Sequence, residues 1–203
     1  MKIHILTLFP ELFSVFRDWS VVGRTIEKGL VTWEPVNIRD FTTDKHRQVD
    51  DYPYGGGPGM VMKPEPIYKA LNSVKEDNST TIYLSPQGKP YNQEMAATLS
   101  KEEHLILLCG HYEGVDNRII DNYIDMEISI GDYVLTGGEL PAMVLIESII
   151  RLIPGALASE ESFIEESHFN GLLEHPQYTR PRGFRDLGVP DILLSGNHKK
   201  IEE

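Results

Sequence analysis

Residues 127–143 read Glu127-Ile128-Ser129-Ile130-Gly131-Asp132-Tyr133-Val134-Leu135-Thr136-Gly137-Gly138-Glu139-Leu140-Pro141-Ala142-Met143. An apolar, strand-like run ends at Ile130. A loop holding Gly131, Gly137 and Gly138 follows, and Glu139, Leu140 and Pro141 open a long apolar pattern of helical spacing. Proline is tolerated in a first helical turn because its missing N–H would have been unpaired there anyway. Glycine permits positive φ and close approach of the backbone to a bound molecule. A strand, a glycine-rich turn and a helix start form a ligand site in many α/β folds. The spacing matches neither a GxGxxG fingerprint nor a Walker loop, so taken alone it is equally compatible with a plain strand-to-helix connection.

Upstream, the same punctuation recurs. Residues 104–109 form a strongly apolar strand ending in Gly110-His111-Tyr112-Glu113-Gly114, and residues 81–84 a shorter one ending in Ser85-Pro86-Gln87-Gly88. Residues 2–9 and 32–38 also read as strands. Pro10 and Glu11 open a helix whose apolar face is Leu12, Phe13, Val15, Phe16, Trp19 and Val22, and further helices are expected over 64–74, 93–99, 116–123 and 140–153. Apolar strands alternating with helices predict an α/β fold with a mostly parallel sheet covered on both faces. In such a sheet the loops after residues 84, 109 and 130 lie on one edge and can converge on one pocket. None of them offers a basic residue suited to pyrophosphate, so a ligand held largely by backbone groups fits better than a dinucleotide.

The chain has 203 residues, enough for one α/β domain with an appendage. Its formal charge of −12 argues against a protein that coats nucleic acid non-specifically, without excluding a local basic surface. A single cysteine, Cys109, sits in an apolar run and excludes an intrachain disulfide or a cysteine metal cluster; a buried structural thiol is the expectation. The first apolar run is broken at Pro10 and Glu11, which does not suit a signal peptide, and no stretch approaches the ~20 apolar residues of a membrane span. A cytoplasmic protein with no membrane partner is expected.

Other stretches suggest recognition. Arg39, Lys45, His46 and Arg47 are a positive patch that reads either as a solvated loop or as a phosphate contact. Residues 53–59 pack four glycines and two prolines into seven positions, which excludes a helix or central strand. With Tyr52 and Tyr54 alongside, this reads as a shaped loop whose backbone approaches a flat partner. Residues 158–168 hold four glutamates and no Lys or Arg, the composition of an acidic linker. Beyond it His175, Arg180, Arg182 and Arg185 are interleaved with Tyr178 and Phe184, a weak signal for RNA.

Together these stretches closely resemble the bacterial tRNA (guanine-N1)-methyltransferases of the TrmD family, in the SPOUT class. The resemblance rests on Leu8-Phe9-Pro10, residues 50–57, Leu84-Ser85-Pro86-Gln87-Gly88, residues 109–114 and the opening motif. Residues 151–155, 176–181 and 194–198 complete it, so it covers essentially the whole chain. It implies a deep trefoil knot, which pattern reasoning would not have proposed because knots are so rare. It implies that S-adenosylmethionine is held, bent, by Leu84, Ser85, Pro86, Gly88, Gly110, Tyr112, Glu113, Gly114, Ser129, Ile130, Gly131, Tyr133, Val134, Leu135, Gly137, Gly138 and Pro141. It further implies a homodimer with shared active sites, dependence on magnesium through ligands that spacing does not reveal, and a substrate that is the anticodon branch of tRNA with guanosine at position 37, preceded by another guanosine. The expected division is a donor-binding knot domain over residues 1–157, a linker over 158–175, and the beginning of a C-terminal tRNA-binding domain over 176–203.

Methyl transfer to N1 of guanine needs the donor held in line, a base for the N1 proton and a positive partner for charge on O6. The resemblance assigns the last role to Arg151 and the base to a linker carboxylate reaching in from the partner subunit. The family typically reads Asp-Ser-Phe there. Counting from Pro154 without gaps gives Glu166-Ser167-His168 here, with Phe169 displaced by one; Glu166 is the expected base, with Glu165 the alternative through a small shift. Family members usually continue for several tens of residues past Asn197-His198, so this chain is either a natural short form or one cut short. The runner-up function is a dimeric donor-binding or RNA-binding core with little turnover.

Overall fold

The computed structural model describes residues 1–157, 175–197 and 199. The chain divides into two units, Met1–Ile164 and Glu165–Glu203. In the first, strands β1 (Lys2–Thr7), β2 (Thr32–Asn37), β5 (Ser79–Pro90), β6 (His104–Cys109) and β7 (Met126–Ser129) form one five-stranded sheet in the order β2-β1-β6-β5-β7. Every pairing in it is parallel, as expected. A two-stranded antiparallel ribbon, β3 (Asp50–Asp51) and β4 (Val61–Met62), closes the glycine-rich loop 52–60.

The central strand β6 shows why the fold forms. All six of its residues are buried, which suits a strand covered on both faces. Leu105, Leu107 and Cys109 join one core cluster and Ile106 and Leu108 the other, because successive side chains point to opposite faces. The first cluster lies under α1 (Leu12–Arg17), α2 (Ser20–Glu27) and α6 (Glu139–Ile150), with Leu99 of α4 (Gln93–Leu99). The second lies under α3 (Pro64–Val74) and α5 (Asn117–Tyr123). Pro35 sits in β2, an edge strand, where its missing N–H removes no interior ladder bond.

Two expectations need correction. The single N-terminal helix is two short ones, and of its expected apolar face only Phe13, Phe16 and Val22 are buried. Leu12, Val15 and Trp19 are exposed, because Phe13 and Phe16 already meet Trp33 at ring distances of 6.1 and 5.4 Å and complete the contact with the sheet. The strand expected to end at Leu84 instead continues to Pro90. It leaves β7 after Leu84, bulges over residues 85–88 and re-pairs at Lys89, so that Leu84 and Lys89 both face Ile128. Among the described residues no helix is long and apolar enough to cross a membrane.

The second unit, over its described residues, carries a small antiparallel ribbon, β8 (Gly183–Phe184) with β9 (Leu187–Gly188), and a helical turn, Asp191–Leu194. The Arg185 guanidinium lies 5.4 Å from the Phe184 ring centroid.

At the opposite end of the sheet from the loops 85–88 and 110–114, buried His4 and His104 join their rings through a 2.7 Å contact between Nδ1 and Nε2. His104 also meets Ser79 Oγ at 2.7 Å, and Lys2, Glu34 and Glu76 are the charged neighbours. Burial first holds both imidazoles below their ordinary value of 6.5, helped at His4 by the Lys2 charge against Glu34 and Glu76, and at His104 by His4 and then Lys2 against Glu76. The unfolded chain therefore binds more protons than the native one as the pH falls below that value, and the contribution of the pair is lost in that window. Thermal melts are expected to show stability falling between pH 7 and pH 5, roughly, with a flatter profile in His104→Gln; an equally steep profile in the variant would remove the pair as the cause.

Candidate active site

The pocket is built at the carboxyl edge of the sheet by the loops expected from the sequence. A cavity of about 380 Å³ is walled by residues 83–87, 110–115, 127–131, 133–138 and Pro141, with Asn117 and Ile120 of α5. That volume lies within the roughly 300–1,000 Å³ of small-molecule sites. Of the residues named from the sequence for the donor, Leu84, Ser85, Pro86, Gly110, Tyr112, Glu113, Gly114, Ser129, Ile130, Gly131, Tyr133, Val134, Leu135, Gly137, Gly138 and Pro141 line it. Gly88 does not. A Cβ there would lie 2.4 Å from the Ile128 nitrogen, so Gly88 lets the bulge of β5 press onto β7.

Backbone contact sets the shape of the wall. The Gly138 N–H donates to the Gly110 carbonyl at 3.0 Å, and a Cβ on Gly138 would meet the Cys109 Cα at 2.7 Å. A Cβ on Gly110 would strike the buried Tyr83 ring at 2.8 Å. Tyr112 holds a φ of 60°, a left-handed conformation that costs a non-glycine residue about 1–3 kcal/mol and concentrates at functional sites. Burial raises the Tyr83 hydroxyl above its ordinary range, with the Glu127 carboxylate adding to the effect, so it faces the cavity as a neutral phenol.

Charge along the wall is one-sided. Glu113 and Glu127 line it, and no Lys or Arg does among the described residues. The loop 52–60 is tied to the same place: the Glu113 N–H donates to the Met60 carbonyl at 2.9 Å, and the Met62 N–H to the Gly114 carbonyl at 2.9 Å. Gly55, Gly56, Gly57 and Gly59 of that loop all have positive φ, and Tyr52 and Tyr54 stand exposed beside them.

A family model described as tRNA (Guanine-1)-methyltransferase TrmD matches residues 1–203. The chain belongs to that family. It is 61% identical to the tRNA (guanine-N(1)-)-methyltransferase of Ruminiclostridium cellulolyticum, over all of this chain and 88% of the relative. The enzyme of the same name from Clostridioides difficile is 58% identical, with 100% and 90% covered, and that from Carboxydothermus hydrogenoformans 59%, with 100% and 80%. A methyltransferase family implies S-adenosylmethionine as the methyl donor.

Sequence reasoning missed several members of the wall. Tyr83, Gln87, His111, Glu127, Ile128 and Thr136 lie in or beside the stretches singled out, but nothing local says that they face the cavity. Asn117 and Ile120 come from a helix without a motif, and only packing brings them in. Arg151 is the partly buried C-cap of α6 and is not among the lining residues. Glu165 and Glu166 lie outside the described residues. Among those described, no group of three or more His, Cys, Asp or Glu could hold a metal ion.

The Gly138→Val variant should lose about 1–3 kcal/mol of stability, the usual cost of overpacking. It should also bind S-adenosylmethionine more weakly, because the side chain would push the 131–138 loop off residues 109–110. Denaturant melts and calorimetry check both, and unchanged values in the two would show that the loops separate freely.

Proposed function

We propose that the protein transfers a methyl group from S-adenosylmethionine to N1 of guanosine 37 in tRNA, with the cavity between residues 83 and 141 as its donor site. The charge of the wall carries this reading. The donor combines a sulfonium, an ammonium and a carboxylate, and is net positive. Glu113 and Glu127 without Lys or Arg suit such a ligand and oppose a pyrophosphate. Leu84, Ile130, Leu135 and Pro141 offer apolar surface for an adenine ring. The acceptor comes from the family: the relatives are named for tRNA and for N1 of guanine. Because these enzymes match the whole chain, a binding core without turnover is the weaker reading.

The donor supplies an electrophilic methyl group, and the residues of this chain do the rest. The wall orients that group toward the acceptor, largely an effect of positioning. The shaped loop 52–60 presents the guanine. Glu166 of the partner subunit takes the N1 proton, and Arg151 stands against the charge that grows on O6. Two copies are needed for this arrangement; exposed Leu140 and Val144 on α6, with Leu12 and Val15 on α1, are apolar surface available for pairing. Arg180, Arg182 and Arg185 would meet the phosphates of the anticodon branch. No group of three or more His, Cys, Asp or Glu among the described residues could hold a metal ion, and no step here is routed through magnesium.

The same reading includes the knot. Residues 85–88 bulge beside β7 between its pairings with Leu84 and Lys89, and Tyr91 N–H donates to the Ser129 carbonyl at 2.8 Å. The chain leaving β7 then runs against residues 109–110 before entering α6. Both contacts support a threaded path.

The deciding experiment is methyl transfer from labelled donor to a tRNA transcript with guanosines at positions 36 and 37. Transfer to N1-methylguanosine that vanishes when guanosine 37 becomes adenosine is expected; transfer to ribose, or none, would overturn the proposal. Glu166→Ala should keep donor affinity and lose about 100-fold or more in rate, the usual weight of a general base. Unchanged turnover would remove Glu166 from the mechanism.

A further inference from the structure

One buried carboxylate ties the end of β1 to two loops of the pocket wall. Glu139, at the start of α6, is 4% exposed, and both of its oxygens are engaged. Thr7, at the end of β1 and fully buried, donates its hydroxyl to Oε1 at 2.7 Å. That hydroxyl accepts the Phe9 N–H at 2.9 Å, so its own proton is aimed at the glutamate. His111, in the middle of the 110–114 loop, meets Oε2 through Nε2 at 2.8 Å. A carboxylate oxygen accepts, so Nε2 carries the proton.

The contact leaves no slack. A Cβ on Gly137 would fall 2.2 Å from His111 Nε2 and 2.6 Å from Glu139 Oε2, so the histidine–glutamate bond runs directly across the Gly137 backbone. His111 also bridges Gly137 in an antiparallel pair, and the Phe9 ring packs on the imidazole at 5.0 Å. A buried carboxylate is costly unless all of its oxygens are satisfied. Glu139 makes no contact of its own with the cavity, whereas His111 and Gly137 both line it. The favourable end of the α6 dipole lies beside the charge and helps to hold it there.

We propose that Glu139 is a positioning residue for methyl transfer: through Thr7 and His111 it holds the 110–114 and 131–138 loops at the separation the methyl donor requires. This rests on the cavity being the donor site. The assignment makes Thr7 and Glu139, neither of which lines the cavity, determinants of donor affinity rather than of tRNA binding. In this role the carboxylate takes no proton from the substrate; it acts as an acceptor for two donors, the Thr7 hydroxyl and His111 Nε2, one on each of its oxygens.

The test is steady-state kinetics with donor and tRNA varied separately, alongside calorimetric binding of S-adenosylmethionine. Glu139→Ala should raise the donor KM and Kd about tenfold or more, since a misplacement of about 1 Å in a site can cost up to a hundredfold. The tRNA KM should stay within about threefold, below the scale of such misplacement. Glu139→Gln should restore donor affinity, because the amide can accept from Thr7 and donate to the other tautomer of His111. A merely structural role would lower the folded fraction and leave the Kd of the folded protein unchanged, and that result overturns the proposal. If Glu139→Ala does not fold, His111→Ala at the wall carries the same test, and an unchanged donor Kd there overturns it equally. Leu135→Asp, on a partly exposed part of the wall, separates the two claims. Normal donor binding in Leu135→Asp would sink the cavity as the donor site. Weak binding there beside normal binding in Glu139→Ala and His111→Ala would sink only the positioning role.

Discussion

Backbone pressed on backbone is the constraint on which the rest of this structure depends. Gly138 lies against the Cys109 Cα and Gly88 against the Ile128 nitrogen, at separations that leave no room for a Cβ. The cost of glycine is conformational entropy in the unfolded chain. It is offset here by contacts that a larger residue would forbid. Because residues 131–138 can lie directly on residues 109–110, the chain leaving β7 returns across the sheet edge before it enters α6. The cavity is the space left between these crossings.

The energetics of α6 follow from the same crossing. Ala142, Leu145, Ile146, Ile149 and Ile150 are buried in the core under the sheet and anchor the helix firmly. Burying one such side chain contributes about 1.5–3 kcal/mol. That anchorage gives the first turn a fixed place, and with it the otherwise costly Glu139 carboxylate. Its negative charge also reaches Cys109, whose thiol is pushed up first by complete burial and then by this neighbour. The single cysteine is thus kept as an inert, protonated core residue.

Electrostatics separates the parts of an acidic chain. The cavity wall carries glutamates and no Lys or Arg among its described residues, while Lys45 and Arg47 in one loop and Arg182 and Arg185 around the β8–β9 ribbon are exposed. In the first of these, Arg47 is paired with Asp40 and its main-chain carbonyl accepts from Arg39. That pairing stiffens the loop, and it gives weight to the reading of a solvated, self-bonded loop beside the reading of a phosphate contact.

Much of this was legible in the residues themselves. The apolar runs at 104–109 and 2–7 specify buried strands by composition, and helices 64–74 and 93–99 appear with the expected bounds because proline, asparagine and spacing act locally. The loop motifs pointed to one pocket because parallel strands place their carboxyl ends on one edge. What stayed hidden were relations between distant segments. Residues 85–88 look like a turn that ends the strand, yet the chain re-pairs with β7 at Lys89 and Pro90, and Gly88 fits against Ile128. Leu12, Val15 and Trp19 look like a core face, yet two phenylalanines already fill the contact. Glu139 looks like an ordinary helix opener. Sequence by itself determined the strands, the helices and the chemical character of the loops, since those depend on neighbours along the chain. Only the tertiary structure decided that Thr7 and His111, 132 and 28 residues from Glu139, meet on its carboxylate, because that depends on where a sheet edge brings remote backbone together.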